Sequence, residues 1–245
     1  MNKAISLQNV TKVFGSKVAV DNVNIEIDGG KITGFLGPNG AGKTTTINMI
    51  VGILSPTNGK VTVGGYDVSK DSYESKKLTS YIPDNPLLYE TMTGIEYLNF
   101  IANVYEMDPN LAIQKVNEYA KIFDLEFALG QTISSYSHGM QQKLALIGGL
   151  IHDPDYFILD EPMVGLDPKS SFNLKEIMRQ RADDGKVVLF STHVMEVAQN
   201  VCDDIIIINN GKIIARGSVE EIKELVPEAE GNLEKIFLEL TDDRA

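Results

Sequence analysis

The chain has 245 residues, 43% apolar and 23% charged, which is enough for one large domain or a core with one inserted subdomain and is not the composition of a disordered chain. Its 22 basic and 34 acidic residues leave a formal charge of −12, which opposes nonspecific nucleic-acid binding and direct adhesion to anionic lipid, so membrane attachment would have to run through a protein partner. The single cysteine, Cys202, excludes an intrachain disulfide, and neither a signal-peptide core nor a bilayer-length apolar run is evident, so the expectation is a soluble, cytosolic chain.

The first stretch reads as β structure. Ile5-Ser6-Leu7 alternates, Val18-Ala19-Val20 and Val23 to Ile27 follow, and Ile32 to Leu36 runs apolar into Gly37. Asn58-Gly59 is a dipeptide suited to a tight hairpin turn, with Val61-Thr62-Val63 continuing after it. Between about Thr93 and Ile151 the apolar spacing becomes helical: Ile95, Leu98 and Ala102, then Ala112, Val116, Tyr119 and Phe123, then Met140, Leu144, Ile147 and Ile151. This reads as a helical insert entered through Pro83 and Pro86 and left through Asp153-Pro154. Strand patterns resume at Tyr156 to Leu159, Val187 to Phe190 and Ile205 to Ile208, and Asn210-Gly211 turns the last of these into Lys212 to Ala215. Val219 to Leu225 and Leu233 to Leu240 predict a short helical tail. No internal repeat is visible, so each chain carries one nucleotide motif.

That motif is Gly37-Pro38-Asn39-Gly40-Ala41-Gly42-Lys43-Thr44, which fits G-x-x-x-x-G-K-[ST] between an apolar strand and a helix running on from Thr45. The glycines let backbone wrap close to an anion, and the loop amides with the helix N-terminus supply positive potential. Lys43 is placed for the β- and γ-phosphates of ATP and the Thr44 hydroxyl for Mg²⁺. Downstream, Tyr156 to Leu159 ends in Asp160-Glu161. Alone this could be a strand ending in solvated acids. After a phosphate loop, it predicts Asp160 as a Mg²⁺ carboxylate and Glu161 as the base that polarises the attacking water. The strand ending in Ser191-Thr192-His193 brings His193 to the same edge, where its ring can contact the γ-phosphate and fix the water. Ser137 and Gly139 open an amphipathic helix, a start that serves equally as a simple cap or as an anion site.

In this order, the phosphate loop, the helical insert, Ser137 to Gln141 at a helix start, the Asp160-Glu161 strand end and His193 resemble an ABC (ATP-binding cassette) ATPase from about Ile5 to Gly217. Ser137 to Gln141 is similar to that family's signature motif, Gly165-Leu166-Asp167 to its D-loop and His193 to its switch histidine. The resemblance implies an α/β fold: a P-loop NTPase core with a mixed sheet and helices on both faces, an N-terminal antiparallel β part, and an inserted α-helical subdomain. The core would span 1–86 and 153–220, the insert 87–152 and the tail 221–245. It also implies a homodimer or heterodimer in which Ser137 and Gly139 of one chain press on the γ-phosphate held at Lys43 of the other. A separate transmembrane permease would be the partner, with the chain peripheral on the inner face of the cell membrane. Phe14 stands where the family sets an aromatic ring against adenine; its other possible place is the core.

Two departures stand out. His138 and Met140 replace the residues the family commonly has in the signature, and Asp84 follows Pro83 where the family usually has Gln. Asp84 is open to two roles, a metal-facing residue or a turn former capping Asn85-Pro86. Leu87, Leu88 and Tyr89 could likewise meet the permease or fill the insert's own core. The two variants and the short tail look most like the subfamily serving drug and peptide export permeases. A soluble ABC ATPase of translation or DNA repair is the alternative, against which stand the single cassette, the absence of a heptad run and the acidity.

Overall fold

The structure, a computed structural model, describes residues 3–227 and 232–241; the parts of the expected tail at 228–231 and 242–245 lie outside the described residues. In chain order, β1 (Ala4–Phe14) and β2 (Lys17–Asp28) form a hairpin, and β3 (Ile32–Leu36) feeds α1 (Lys43–Ile50). Next come β4 (Asn58–Val63), β5 (Tyr66–Asp67), α2 (Ser72–Lys77) and β6 (Thr79–Ile82). The insert consists of α3 (Gly94–Val104), α4 (Pro109–Ile122) and α5 (His138–Leu150). Then follow β7 (Tyr156–Asp160), α6 (Pro168–Asp183), β8 (Val187–Thr192), α7 (Met195–Val201), β9 (Asp204–Asn209) and β10 (Lys212–Ser218). The tail carries α8 (Val219–Glu224) and α9 (Leu233–Thr241).

The strands sort into two sheets. One is antiparallel in the order β2-β1-β4-β5; the other runs β10-β9-β3-β8-β7-β6, parallel except for β10. The fold is therefore the α/β nucleotide-binding arrangement with an antiparallel β part and a helical insert. The parallel strands are apolar on both faces because both are covered. Along β7, Tyr156 and Ile158 face the cluster shared with α1 and the antiparallel sheet, while Phe157 and Leu159 face the cluster shared with α6 and the insert. β9 divides the same way, Ile206 and Ile208 against Ile205 and Ile207.

In the insert, α3 starts on a capping box in which Thr93 and Glu96 bond each other's backbone amides, and α4 starts on Asp108 with Pro109 behind it. Leu98 and Ala102 are buried as the spacing predicts, with Ile95 left at the surface. α5 is buried on most sides, and at Gly149 it runs so close to β6 that a Cβ would lie 2.4 Å from the Ser80 hydroxyl. A glycine at 149 thus lets the insert lie directly against the core sheet. Among the described residues no helix is long and apolar enough to cross a membrane.

One predicted turn is corrected. Asn58-Gly59 does not close a hairpin; it lies inside β4, opposite a bulge in β1 where the register shifts between Gln8 and Thr11. Gly59 has φ +89, and a Cβ there would sit 2.3 Å from the Asn9 carbonyl oxygen. A positive-φ residue suits a bulge as well as a turn, so the dipeptide alone does not separate the two. The turn into β5 falls instead at Gly64-Gly65. Asn210-Gly211 does make its hairpin, with Asn209 paired to Lys212.

Candidate active site

Four parallel strand ends build the site. Ile82 lies beside Leu159, Asp160 beside Ser191, and Leu36 beside Thr192, so these strands finish at one edge of the sheet. From that edge emerge Pro83-Asp84, Asp160-Glu161, Ser191 to His193, and the loop from Gly37 to Gly42. In open parallel sheets this is the edge where ligands bind.

The loop closes over α1 because Gly42 takes φ +110, in a place where a Cβ would lie 2.7 Å from the Ala19 carbonyl oxygen. Gly37 and Ala41 are buried beneath it, while Pro38, Asn39, Gly40, Gly42, Lys43, Thr44 and Thr45 line a cavity of about 390 Å³. The first amides of α1 have no partner within the helix, and together with its dipole they offer an anion a ready seat. Lys43 is 7% exposed, and its ammonium spans the loop, donating to the carbonyls of Gly37 at 2.7 Å and Pro38 at 3.3 Å. Burial pushes its pKa down, with Glu161 and Asp160 acting against that shift.

Opposite the loop, Asp160 is almost wholly buried and accepts hydrogen bonds from the hydroxyls of Thr44, at 2.8 Å, and Ser191. Thr44 and Asp160 thus present a hydroxyl and a carboxylate together, the oxygen donors Mg²⁺ takes alongside phosphate oxygens. No group of three or more His, Cys, Asp or Glu among the described residues is arranged to hold a metal ion. Glu161 adopts a left-handed backbone (φ 49), held by its amide donating to the Ser191 carbonyl and hydroxyl. The turn aims its carboxylate at the cavity, and Oε1 lies 2.8 Å from His193 Nδ1. Asp84 is exposed and lines the same cavity.

At the far side, Phe14 is 47% exposed and lines the cavity, which removes the core alternative. Lys12 Nζ stands 5.1 Å from its ring centroid. Ser137 and Gly139 lie elsewhere, at the start of α5. Ser137 Oγ accepts from the Met140 amide at 3.3 Å, and a Cβ on Gly139 would lie 2.6 Å from the Gly165 carbonyl oxygen. The structure thus gathers the phosphate-loop, Asp160, Glu161, His193, Asp84 and Phe14 positions together and leaves the signature pair on another surface of the chain.

Three contributors were not assigned from the sequence. Ser191 bonds Asp160 and carries the Glu161 amide; Lys12 backs Phe14; Lys143 pairs with Asp167 at 2.6 Å, tying α5 to the N-terminus of α6. Only the first left a trace, a hydroxyl residue at an apolar strand's end.

Fold and site together define a P-loop nucleotide-binding protein. The ABC transporter family model matches residues 20–164. The chain is 36% identical over 239 residues to the ABC transporter ATP-binding protein NatA of Bacillus subtilis (strain 168), covering 96% of both. A solved ATP-binding subunit of an ABC transporter superposes with a TM-score of 0.92 at 29% identity, over 96% of this chain and 98% of that one. A dimeric ATP-binding cassette in a post-hydrolysis state bound to ADP and Pi gives 0.79 at 26% identity, over 87% and 98%. The chain belongs to the ABC transporter family, among its ATP-binding proteins.

Proposed function

We propose that the chain is a Mg²⁺-dependent ATP hydrolase that pairs head to tail with a second cassette around two ATP molecules and drives a separate transmembrane permease of the export type. The observation that carries this reading is Glu161, on the wall of the cavity that also holds Lys43 and Asp160, with its Oε1 2.8 Å from His193 Nδ1. Glu161 takes the proton of the attacking water, and His193 orients its carboxylate and meets the γ-phosphate. Lys43 and the loop amides hold the phosphates, and Thr44, Asp160 and Asp84 are the groups that meet the metal. Mg²⁺ supplies neutralisation of charge on the phosphates as the bond breaks. Phe14 stacks on the base.

Ser137 and Gly139 lie outside their own chain's cavity, which supports their acting on the nucleotide of a second chain. A bulky residue at Gly139 then abolishes ATP-driven pairing while each chain still binds ATP. The permease docks beside Asp84 to Tyr105. Leu87 is 92% exposed and Tyr89 55%, apolar surface that a partner can cover, whereas Leu88 packs against the insert's core. The chain on this reading sits at the inner face of the cell membrane, held there by the permease.

The test is Glu161→Gln, which keeps the side chain's shape and removes its basicity. ATP binding persists, hydrolysis slows by roughly 10²- to 10⁴-fold, and an ATP-bound dimer accumulates in sedimentation. A variant that hydrolyses ATP at the normal rate overturns the assignment.

A further inference from the structure

The loop that leaves Glu161 and ends at Asp167 is gripped at its far end by α5 of the insert. Lys143, on α5, has a side chain only 14% exposed, and its ammonium reaches Asp167 Oδ2 at 2.6 Å. One turn earlier the helix meets the same loop backbone to backbone, since a Cβ on Gly139 would lie 2.6 Å from the Gly165 carbonyl oxygen. The His138 ring covers Gly165 itself, where a Cβ would lie 2.6 Å from its Cδ2. The cap on α6 is complete without Lys143, because Ser170 supplies both of the bonds that Asp167 accepts there. A lysine with a buried stem and one committed partner has given up side-chain freedom for something other than that cap.

At the near end of the loop stands Glu161 with φ 49, a conformation that residues other than glycine rarely adopt and that persists only where the surroundings impose it. On the β7 side the residue is held by its amide, which donates to the Ser191 carbonyl at 3.2 Å and hydroxyl at 3.1 Å. On the other side the chain passes through Pro162, buried and with its φ fixed by the ring. It then makes two short turns, the Val164 amide donating to the Glu161 carbonyl at 3.2 Å and the Leu166 amide to the Met163 carbonyl at 3.3 Å. Met163 and Leu166 pack against the core of the insert and α6. A loop this short and this bonded carries a displacement of one end to the other, and its near end bears the carboxylate set 2.8 Å from His193.

We propose that Lys143 is a positioning residue for Glu161: by pairing with Asp167 it ties the far end of the 161–167 loop to α5, so that the angle of the insert sets where the Glu161 carboxylate points. The proposal rests on Glu161 acting as the base, as proposed above. Lys143 itself touches neither the nucleotide cavity nor any residue on its wall. Its loss therefore moves the rate of hydrolysis and leaves the affinity for ATP where it was.

Steady-state hydrolysis by the full chain tests this. Lys143→Met keeps the buried stem and removes the ammonium; Asp167→Asn keeps an oxygen for the Ser170 amide and removes the charge. Each lowers kcat roughly 10- to 100-fold with the KM for ATP unchanged. The double variant loses no more than either single one, because one interaction is being removed twice. Lys143→Arg, with a cation still in reach of Asp167, recovers most of the rate. A parent-level kcat in Lys143→Met, or additive losses in the double variant, overturns the proposal, as does a lower urea midpoint at unchanged kcat. A second arm places Lys143→Met in the Glu161→Gln chain, where ATP-driven pairing persists; loss of pairing there would assign Lys143 to the paired surface and overturn its role toward the base. A third arm needs no hydrolysis. The chain has no tryptophan, so Val164→Trp, at a position 44% exposed, reports on the loop alone. Its fluorescence anisotropy falls when Lys143→Met is added and returns with Lys143→Arg; an unchanged anisotropy overturns the tie. If the parent chain neither hydrolyses ATP nor pairs, the failure belongs to the proposed function, and the anisotropy still decides whether Lys143 holds the loop.

Discussion

Asp84 shows what a single departure does to the site's chemistry. The residue is exposed on the wall of the nucleotide cavity, and among the described residues no hydrogen bond ties it to the Asn85-Pro86 backbone, so the turn-capping role finds no bond to support it. It faces a cavity that already carries Asp160 and Glu161, where a further negative charge is tolerable only against a cation. Asp84→Ala is therefore expected to weaken the Mg²⁺ dependence of hydrolysis by about tenfold, while metal-free nucleotide binding persists and Asp84→Gln keeps most of the activity. Rates measured against Mg²⁺ concentration decide it; a profile unchanged in the alanine variant makes the residue a turn former. At Phe14, alanine removes a stacking face and is expected to raise the KM for ATP by roughly 2- to 10-fold with kcat unchanged, and tryptophan restores it. A drop in kcat at unaltered KM would place the ring nearer the chemistry. Lys43, Asp160 and Glu161 were legible because their spacing and strand context are local. Ser191 was not, since its bonds to Asp160 and to the Glu161 amide exist only once β7 and β8 are neighbours.

Among the elements, α6 depends most visibly on one side chain. Asp167 caps its N-terminus, accepting from the Ser170 amide at 2.9 Å and hydroxyl at 2.7 Å, with Pro168 next in the first turn. The same carboxylate pairs with Lys143 on α5, and that bond together with those from Ser170 holds its pKa well below the ordinary 3.8. Asp167→Ala is expected to cost about 1–2 kcal/mol, mostly the cap because the ion pair is partly solvated, and Asp167→Asn to recover most of it. Because the folded-state pKa is depressed, this contribution is complete above 3.8 and is lost as pH falls below it toward the folded value. Urea midpoints of the parent and the alanine variant should differ at neutral pH and converge in strong acid; a gap that stays constant removes the ionised carboxylate from the account. The α5 helix was legible from its spacing. Asn58-Gly59 was not, because whether a positive-φ pair makes a turn or a bulge depends on which strand lies opposite, and here that strand is β1.

Across the whole molecule, the alternation of strands and helices and the helical insert could be read along the chain, but the strand order could not. Nothing local to Ile32 to Leu36 says that β3 runs between β8 and β9, since apolar runs covered on both faces carry no partner code. The seam between insert and core was equally hidden, and its histidine, His152, gives the molecule a dependence on pH that can be argued through. Its ring stacks on Tyr105, with Gly148 and Thr79 of the backbone close by. Burial, opposed by the Gly148 backbone and by Asp153 and helped by the Arg181 charge, lowers its pKa from 6.5 to about 4. The folded state therefore keeps the imidazole neutral after the unfolded chain has taken up its proton. Between those two values the unfolded state binds more protons, so stability falls as pH is lowered through that window and the loss from this group ends below both. The difference of about 2.5 units corresponds to at most roughly 3 kcal/mol. His152→Phe keeps a flat ring against Tyr105 and removes the titration. The variant's urea midpoint should fall less than the parent's between pH of roughly 7.5 and roughly 4.5, a window that lies mostly above the carboxylate range. Equal falls in the two proteins would show that the seam opens to water before the ring protonates, which would free the insert from the core at mildly acidic pH.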